Sequence, residues 1–212
     1  QATRGVPNLP GSNSSPLVLV AGASGVIGRQ LLPELATRGY QTLGLTRSSK
    51  NARMIEQLGA MAAVCDIYDP PALGAIFDNY APEIVIDLLT DLPDEADRVR
   101  EYAEANNRMR TVGTDNLLGA ATKGGARRII AESVAWQLQG NGALAVAHLE
   151  EAVLSAGGIV LRYGQLWGAH TYHATRPATG PTLRIDTAGR RTIQLIDATS
   201  GIYELVDEPL TA

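Results

Sequence analysis

Val18-Leu19-Val20-Ala21-Gly22-Ala23-Ser24-Gly25-Val26-Ile27-Gly28-Arg29 is the stretch whose reading decides the fold. An apolar run ends in a glycine turn, and a helical pattern starts directly after it. The glycines follow Gly-x-x-Gly-x-x-Gly. Gly22 permits a sharp turn, Gly25 removes a side chain where a pyrophosphate would approach the backbone, and Gly28 lets the new helix lie close on the sheet. The free N–H groups of Ser24, Gly25, Val26 and Ile27 and the positive end of the helix dipole would then face the phosphates. The spacing alone is a weak signal. Its position between a strand and a helix makes it a dinucleotide-binding turn.

Outward from this turn, strands and helices alternate. Strands are expected at Leu17–Ala21, Gln41–Thr46, Met61–Cys65, Glu83–Leu89, Arg127–Ala131, Gly158–Arg162 and Gly201–Val206. Helices are expected over Val26–Arg38, Asn51–Leu58, Pro70–Tyr80, Asp94–Thr122, Leu144–Ala156 and Thr187–Asp197, the last capped by Asp186. Pro33 lies inside the first helix and should bend or shorten it. The nearly unbroken apolar run at Glu83–Leu89 is typical of a strand buried on both faces. This order specifies an α/β protein with a doubly wound parallel sheet, the Rossmann fold, in three layers. Residues 1–16, rich in Pro, Gly, Ser and Asn, read as a flexible leader. Residues 17–212 read as a single domain with a very small C-terminal substrate region, a loop near 165–185.

Composition narrows the function. The net charge is −4 over 212 residues, so there is no basic field to hold nucleic acid. One cysteine, Cys65, excludes an internal disulfide framework. No apolar run reaches the roughly 18–20 residues of a membrane span, and the N-terminal residues lack a secretory pattern. A cytoplasmic protein acting on a small molecule is the expectation. His170-x-x-His173 has metal-like spacing but no accompanying cysteine or carboxylate, so no metal site is expected.

In such sheets ligands sit at the carboxyl ends of the strands. After the second strand stands Thr46-Arg47-Ser48-Ser49, with no Asp or Glu to accept from a ribose hydroxyl. Arg47, aided by Ser48 and with Arg29 within reach of the same group, suits a 2′-phosphate, which favours NADP with NAD as second choice. Asp66 and Ile67, after the third strand, are placed for the adenine; Asp66 would equally cap a turn. Leu88, Leu89 and Thr90, after the fourth, would line the ribose–nicotinamide path.

Together these residues resemble the atypical and extended short-chain dehydrogenase/reductases, in particular the NAD-dependent epimerase/dehydratase family. The resemblance is carried by the glycine turn, by Asp66, and by Asn107-x-x-Arg110-x-x-Gly113-Thr114-x-Asn116-Leu117-Leu118. It extends through Arg127-Arg128-Ile129-Ile130-Ala131-Glu132-Ser133, Leu161-Arg162-Tyr163-Gly164-Gln165-Leu166-Trp167-Gly168 and the late Gly201–Pro209 segment. It implies an oxidoreductase or epimerase/dehydratase whose catalytic unit is Ser/Thr with Tyr-x-x-x-Lys, and a homodimer paired through the long helix. Ser133 matches the first position. The Tyr and Lys should fall in Gly142-Ala143-Leu144-Ala145-Val146-Ala147-His148, and neither is there. Tyr163 and His148 are the candidate replacement acids. Trp136, Trp167 and Tyr172 are candidate substrate contacts around a compact, open cleft. A small organic metabolite fits that cleft. The alternatives are an enzyme performing a non-redox isomerisation or cyclisation, and a non-catalytic dinucleotide-binding sensor or partner module.

Overall fold

The computed structural model describes residues 15–208; most of the expected leader and the residues from Pro209 onward lie outside the described residues. Seven parallel strands form one sheet: β1 (Leu17–Ala21), β2 (Gln41–Thr46), β3 (Met61–Val64), β4 (Ile84–Asp87), β5 (Arg128–Val134), β6 (Ile159–Tyr163) and, last in the chain, β9 (Gly201–Leu205). Their order is β3-β2-β1-β4-β5-β6-β9. The chain therefore winds outward from β1 in one direction and then outward from β4 in the other. The switch between β1 and β4 leaves the crevice in which such sheets bind ligands.

Helices cover both faces because β1, β4, β5 and β6 are apolar on both. On one face α1 (Val26–Thr37), α2 (Ser49–Gln57) and α7 (Ile185–Gln194) pack Ile27, Leu31, Leu35, Ile55, Ala188 and Ile193 against Val18, Val20, Ile84 and Leu161. On the other, α3 (Pro70–Tyr80), α5 (Thr114–Lys123) and α6 (Gly140–Ser155) bring Leu73, Phe77, Leu117, Leu149 and Val153 onto Leu19, Val85 and Val160. Pro33 does not shorten α1. It lies on the exposed side of the helix, where its ring faces solvent and its only cost is the missing bond to the Arg29 carbonyl.

Three expectations need correction. Asp94–Thr122 is not one helix. It is a 3-10 stretch (Ala96–Tyr102), a short helix α4 (Ala103–Arg108), a π-helical turn (Met109–Gly113) and then α5. The π turn slips an extra residue into the winding, so that Asn106 and Thr114 both face the end of β4. A straight α-helix, at about 100° per residue, would splay positions eight apart. Asp186 does not cap α7; Arg184 holds the cap position and pairs with Asp186 at 2.8 Å from inside the first turn. The loop near 165–185 contains two three-residue strands, β7 (Gln165–Trp167) and β8 (Thr182–Arg184), paired in parallel as a separate ribbon.

Helix α7 lies unusually close to α1. A β-carbon on Gly189 would sit 2.3 Å from the Gln30 carbonyl oxygen, which is backbone and cannot turn aside. Gly189→Ala is expected to lower stability by about 1–3 kcal/mol, the scale of core overpacking. Urea or thermal unfolding measures it, and an unchanged midpoint would show that the helices can separate at no cost.

Candidate dinucleotide and substrate site

The site begins at the turn after β1. Gly22 has φ +79°, and a β-carbon there would lie 2.5 Å from the Leu88 carbonyl oxygen. The end of β4 therefore passes directly over the turn, and only glycine fits beneath it. Gly25 donates its N–H to Gly22 O at 2.9 Å, closing the turn, and occupies the N-cap of α1 with no side chain over the helix end. Among the described residues the first-turn amides of α1 receive no side-chain cap, and no acidic residue stands in that turn. This is an uncapped, positively polarised cradle at the carboxyl end of β1, and it fits a pyrophosphate. Ser24 braces it: its carbonyl accepts from Arg29 Nε at 2.9 Å, and its Oγ accepts from Asn51 Nδ2 at 3.3 Å. Arg29 is thereby directed to the turn itself.

At the end of β2, Arg47 is 62% exposed but is not free. Its Nη2 pairs with Asp91 at 3.0 Å, which raises its already high pKa. Asp91 is held in turn by buried Asn106, whose Oδ1 accepts the Asp91 N–H at 3.0 Å. Neither Asp91 nor Asn106 was foreseen; both lie far from Arg47 in sequence, and no local pattern announces them. Ser48 is the N-cap of α2 and accepts from Asn51 N. Asp66 Oδ1 accepts from Tyr68 N at 2.9 Å, a turn-capping bond that leaves its second oxygen uncommitted. Ile67 is buried, packed with Met109 in the core, and so is Leu88; Leu89 and Thr90 are half-buried at the rim of the crevice.

The structure does not bring the three candidate catalytic residues together. Ser133 is buried on the α6 side of the sheet, where its Oγ donates to Glu150 Oε1 at 2.6 Å. Arg162 grips the same carboxylate through Nε at 2.8 Å and Nη2 at 2.6 Å. Tyr163 does not follow β6 on the cleft side. It is the last residue of that strand and points to the opposite face, 2% exposed, with its hydroxyl on Thr192 Oγ1 at 2.7 Å. Burial pushes its ionisation well above the ordinary tyrosine range, which suits a core hydrogen bond and not a working acid. His148 is half-exposed on the outer side of α6 and meets Asp115 at 2.8 Å. Of the expected substrate contacts, Trp136 is exposed near the end of β5. The indole of Trp167 donates to Asp207 Oδ2 at 2.7 Å, and Tyr172 donates its hydroxyl to the Pro93 carbonyl, tying the loop after β7 to the loop after β4.

Three groups to which the sequence reading gave no site role lie where β4 and β5 end. Asp87 closes β4 and accepts from Leu89 N at 3.0 Å and Thr114 Oγ1 at 3.5 Å. Its register partner on β5 is Ala131, so Glu132 stands one residue further along. Arg110 reaches the same region from the π turn, where Glu132 is the charge that acts on it. Burial raises the Asp87 carboxyl to about 6; burial, opposed by Arg110 and reinforced by Asp87, raises Glu132 to about 8. Two buried carboxyls with raised ionisation at the carboxyl ends of adjacent strands make this a candidate functional region. The signal for them was polar residues at the ends of apolar strands, which strand periodicity alone does not single out. Among the described residues no cluster of His, Cys, Asp and Glu could hold a metal, and no helix is long and apolar enough to cross a membrane.

Because the folded protein binds protons at Asp87 and Glu132 more tightly than the unfolded chain does, stability is greatest below about pH 4 to 5 as far as these two groups go. Their contribution is lost as pH rises through 6 and then 8. Glu132→Gln is expected to flatten that decline between pH 6 and 8. Urea midpoints across this range read it; a mutant with the wild-type slope would place the titration elsewhere.

A model of the NAD dependent epimerase/dehydratase family matches residues 18–137. The chain is 34% identical over 181 residues to a 3-diazoavenalumate denitrifying reductase from a Streptomyces species, a match that covers 74% of this chain and 58% of that protein. It is 33% identical over 121 residues to cinnamoyl-CoA reductase 1 of Oryza sativa subsp. japonica, covering 54% of this chain and 33% of that one. The chain thus spans under two thirds of the length of either. Among solved structures, UDP-glucose 4-epimerase of Thermus thermophilus in complex with NAD superposes with a TM-score of 0.76 at 16% identity, covering 91% of this chain and 78% of the epimerase. That likeness concerns the fold, and it agrees with the strand order and the crevice between β1 and β4. The matched span holds the glycine turn, Arg47, Asp66, the π turn and Ser133, and the chain belongs to the NAD dependent epimerase/dehydratase family.

Proposed function

We propose that this protein is a nicotinamide-dependent reductase that replaces a diazo group on a small organic substrate by hydrogen. The observation that carries the reading is the start of α6. Where a carbonyl-reducing relative would keep its Tyr and Lys, this chain has Gly142-Ala143-Leu144-Ala145-Val146-Ala147-His148, and the Ser133 hydroxyl is spent on Glu150. Reduction of a carbonyl leaves an alkoxide that must be protonated, and a positioned acid contributes about 10²–10⁴ in rate to such a step. Reductive loss of a diazo group has no such requirement. When bound, the reduced nicotinamide supplies a hydride. The balance is R–N2⁺ + H⁻ → R–H + N2: the new C–H bond takes the hydride pair, the C–N bond breaks, its pair leaves with nitrogen, and no proton is consumed. The relative that acts as a denitrifying reductase supports this chemistry.

The chain's own residues would do the following. The turn from Gly22 to Gly28 and the free end of α1 hold the pyrophosphate. Arg47 takes a 2′-phosphate with the donors that Asp91 leaves open, which favours NADP over NAD. Asp66 accepts from the adenine, and Leu89 and Thr90 border the path to the reacting end. The same missing dyad also favours a second reading, a dinucleotide-binding module without turnover.

Incubation of the protein with NADPH and a diazotised aminocinnamate tests both. Loss of absorbance at the reduced-nicotinamide band with stoichiometric release of N2 is expected, and a panel of simple aldehydes and ketones should give none. Tight NADPH binding with no consumption by any substrate would favour the non-catalytic reading. Arg47→Ala is expected to weaken NADPH by roughly 10- to 100-fold, the scale of a charge-assisted bond, and to leave NADH unchanged. Calorimetry on both cofactors measures it, and equal losses would remove the 2′-phosphate assignment.

A further inference from the structure

Arg110 is a partly buried guanidinium without a partner among the described residues. It sits on the π turn, half-buried, at the end of the sheet where β4 and β5 stop. Other partly enclosed guanidinium groups have partners. Arg162 is gripped by Glu150 at 2.6 Å, Arg176 stands 3.9 Å from Asp207, and Arg128 donates to the Ala198 carbonyl at 2.6 Å. Among the described residues Arg110 makes no ion pair within 4.0 Å and no side-chain hydrogen bond. Its nearest influential charge is Glu132, and that carboxyl is held largely neutral near pH 7. A cation withdrawn from water without a counter-charge is costly, and burial duly lowers its pKa. Such a group is stabilised when an anion arrives.

Its location says which anion. The dinucleotide cradle lies at the end of β1, and Arg47 marks the adenine end at β2. Arg110 is on the opposite side of the switch point, beyond β4, with Thr114 four residues later fixed on Asp87. Phosphates would be held at the α1 turn, whereas the turn that carries Arg110 leads into α5 at the carboxyl end of β4 and β5.

We propose that Arg110 is the substrate-anchoring residue of the cleft and receives a carboxylate, so that the substrate class is small organic acids. The planar guanidinium offers two parallel N–H donors to the two carboxylate oxygens. The position also explains the π turn, which delivers Arg110 to the crevice while Asn106 and Thr114 stay on β4. This inference rests on the reading of the crevice as a substrate site, and it adds the anchoring group.

Equilibrium binding tests it on the dinucleotide-loaded protein, with cinnamate as probe and cinnamamide as its uncharged counterpart. Neither carries a diazo group, so this measurement can succeed even if diazo turnover fails. Cinnamate should bind the wild type about 10- to 100-fold more tightly than cinnamamide. Arg110→Gln should abolish the preference while leaving NADPH affinity within about twofold, and Arg110→Lys should restore part of it, since a point charge replaces the fork. The proposal is overturned if the wild type binds cinnamate no better than cinnamamide, if it binds neither, or if Arg110→Gln weakens NADPH instead, which would make Arg110 a phosphate ligand. Circular dichroism of the variants guards against misfolding, and the comparison of the two probes on the wild type stands without any variant.

Discussion

The carbonyl of Leu88 occupies the space a side chain on Gly22 would need, and the site is built around that approach. Because the backbone of β4 crosses the turn after β1 at this distance, the first strand must end there and α1 must start within a few residues. The uncapped helix end then faces the crevice instead of the core. The same crossing fixes where β4 releases its last residues, and hence where Asp87, Leu89 and Asp91 stand. A larger residue at position 22 would not merely crowd the turn. It would push the two central strands out of register at the end that carries the chemistry.

How much of this could be read from the sequence depended on how local the cause was. The turn, α1 and the seven sheet strands were legible because each is signalled within about ten residues by apolar runs and glycines. The alternation placed ligands at the carboxyl ends of the strands, and the family resemblance added the expected catalytic unit with its missing Tyr and Lys. The segmentation of Asp94–Thr122 was not legible, because it is imposed by two distant obligations, Asn106 to Asp91 and Thr114 to Asp87. Strands β7 and β8 are too short for any alternation to appear. In the site, Arg47 was visible and its partner Asp91 was not, since 44 residues separate them. Glu132 stood in full view beside Ser133, yet only the fold brings it within electrostatic reach of Arg110 and Asp87, and alternation along β5 puts it on the face opposite Ser133.

That alternation has a chemical meaning. Successive residues of a strand address opposite faces. In β5, Ser133 joins Glu150 and Arg162 in a set in which both carboxylate oxygens accept and the serine hydroxyl and two guanidinium nitrogens donate. Such a set rigidifies the contact between α6 and the sheet and leaves nothing for a substrate. Glu132, one position earlier, is the opposite case: a carboxyl in a poorly solvated place with an unsatisfied cation nearby.

Asp207 lies just past β9 and accepts from Trp167 on β7, from Thr182 on β8 and from the Arg184 N–H. β9 is an outermost strand of the sheet. The loop that borders the crevice is therefore anchored to the edge of the fold, where strands fray most readily. Opening of that edge would loosen the Asp207 contacts of Trp167, Thr182 and Arg184 together, while Tyr172 still ties the chain between them to the loop after β4. A substitution in β9, an edge strand on the far side of β6, would thus act on one end of this loop without touching any group at the ends of β1 and β4.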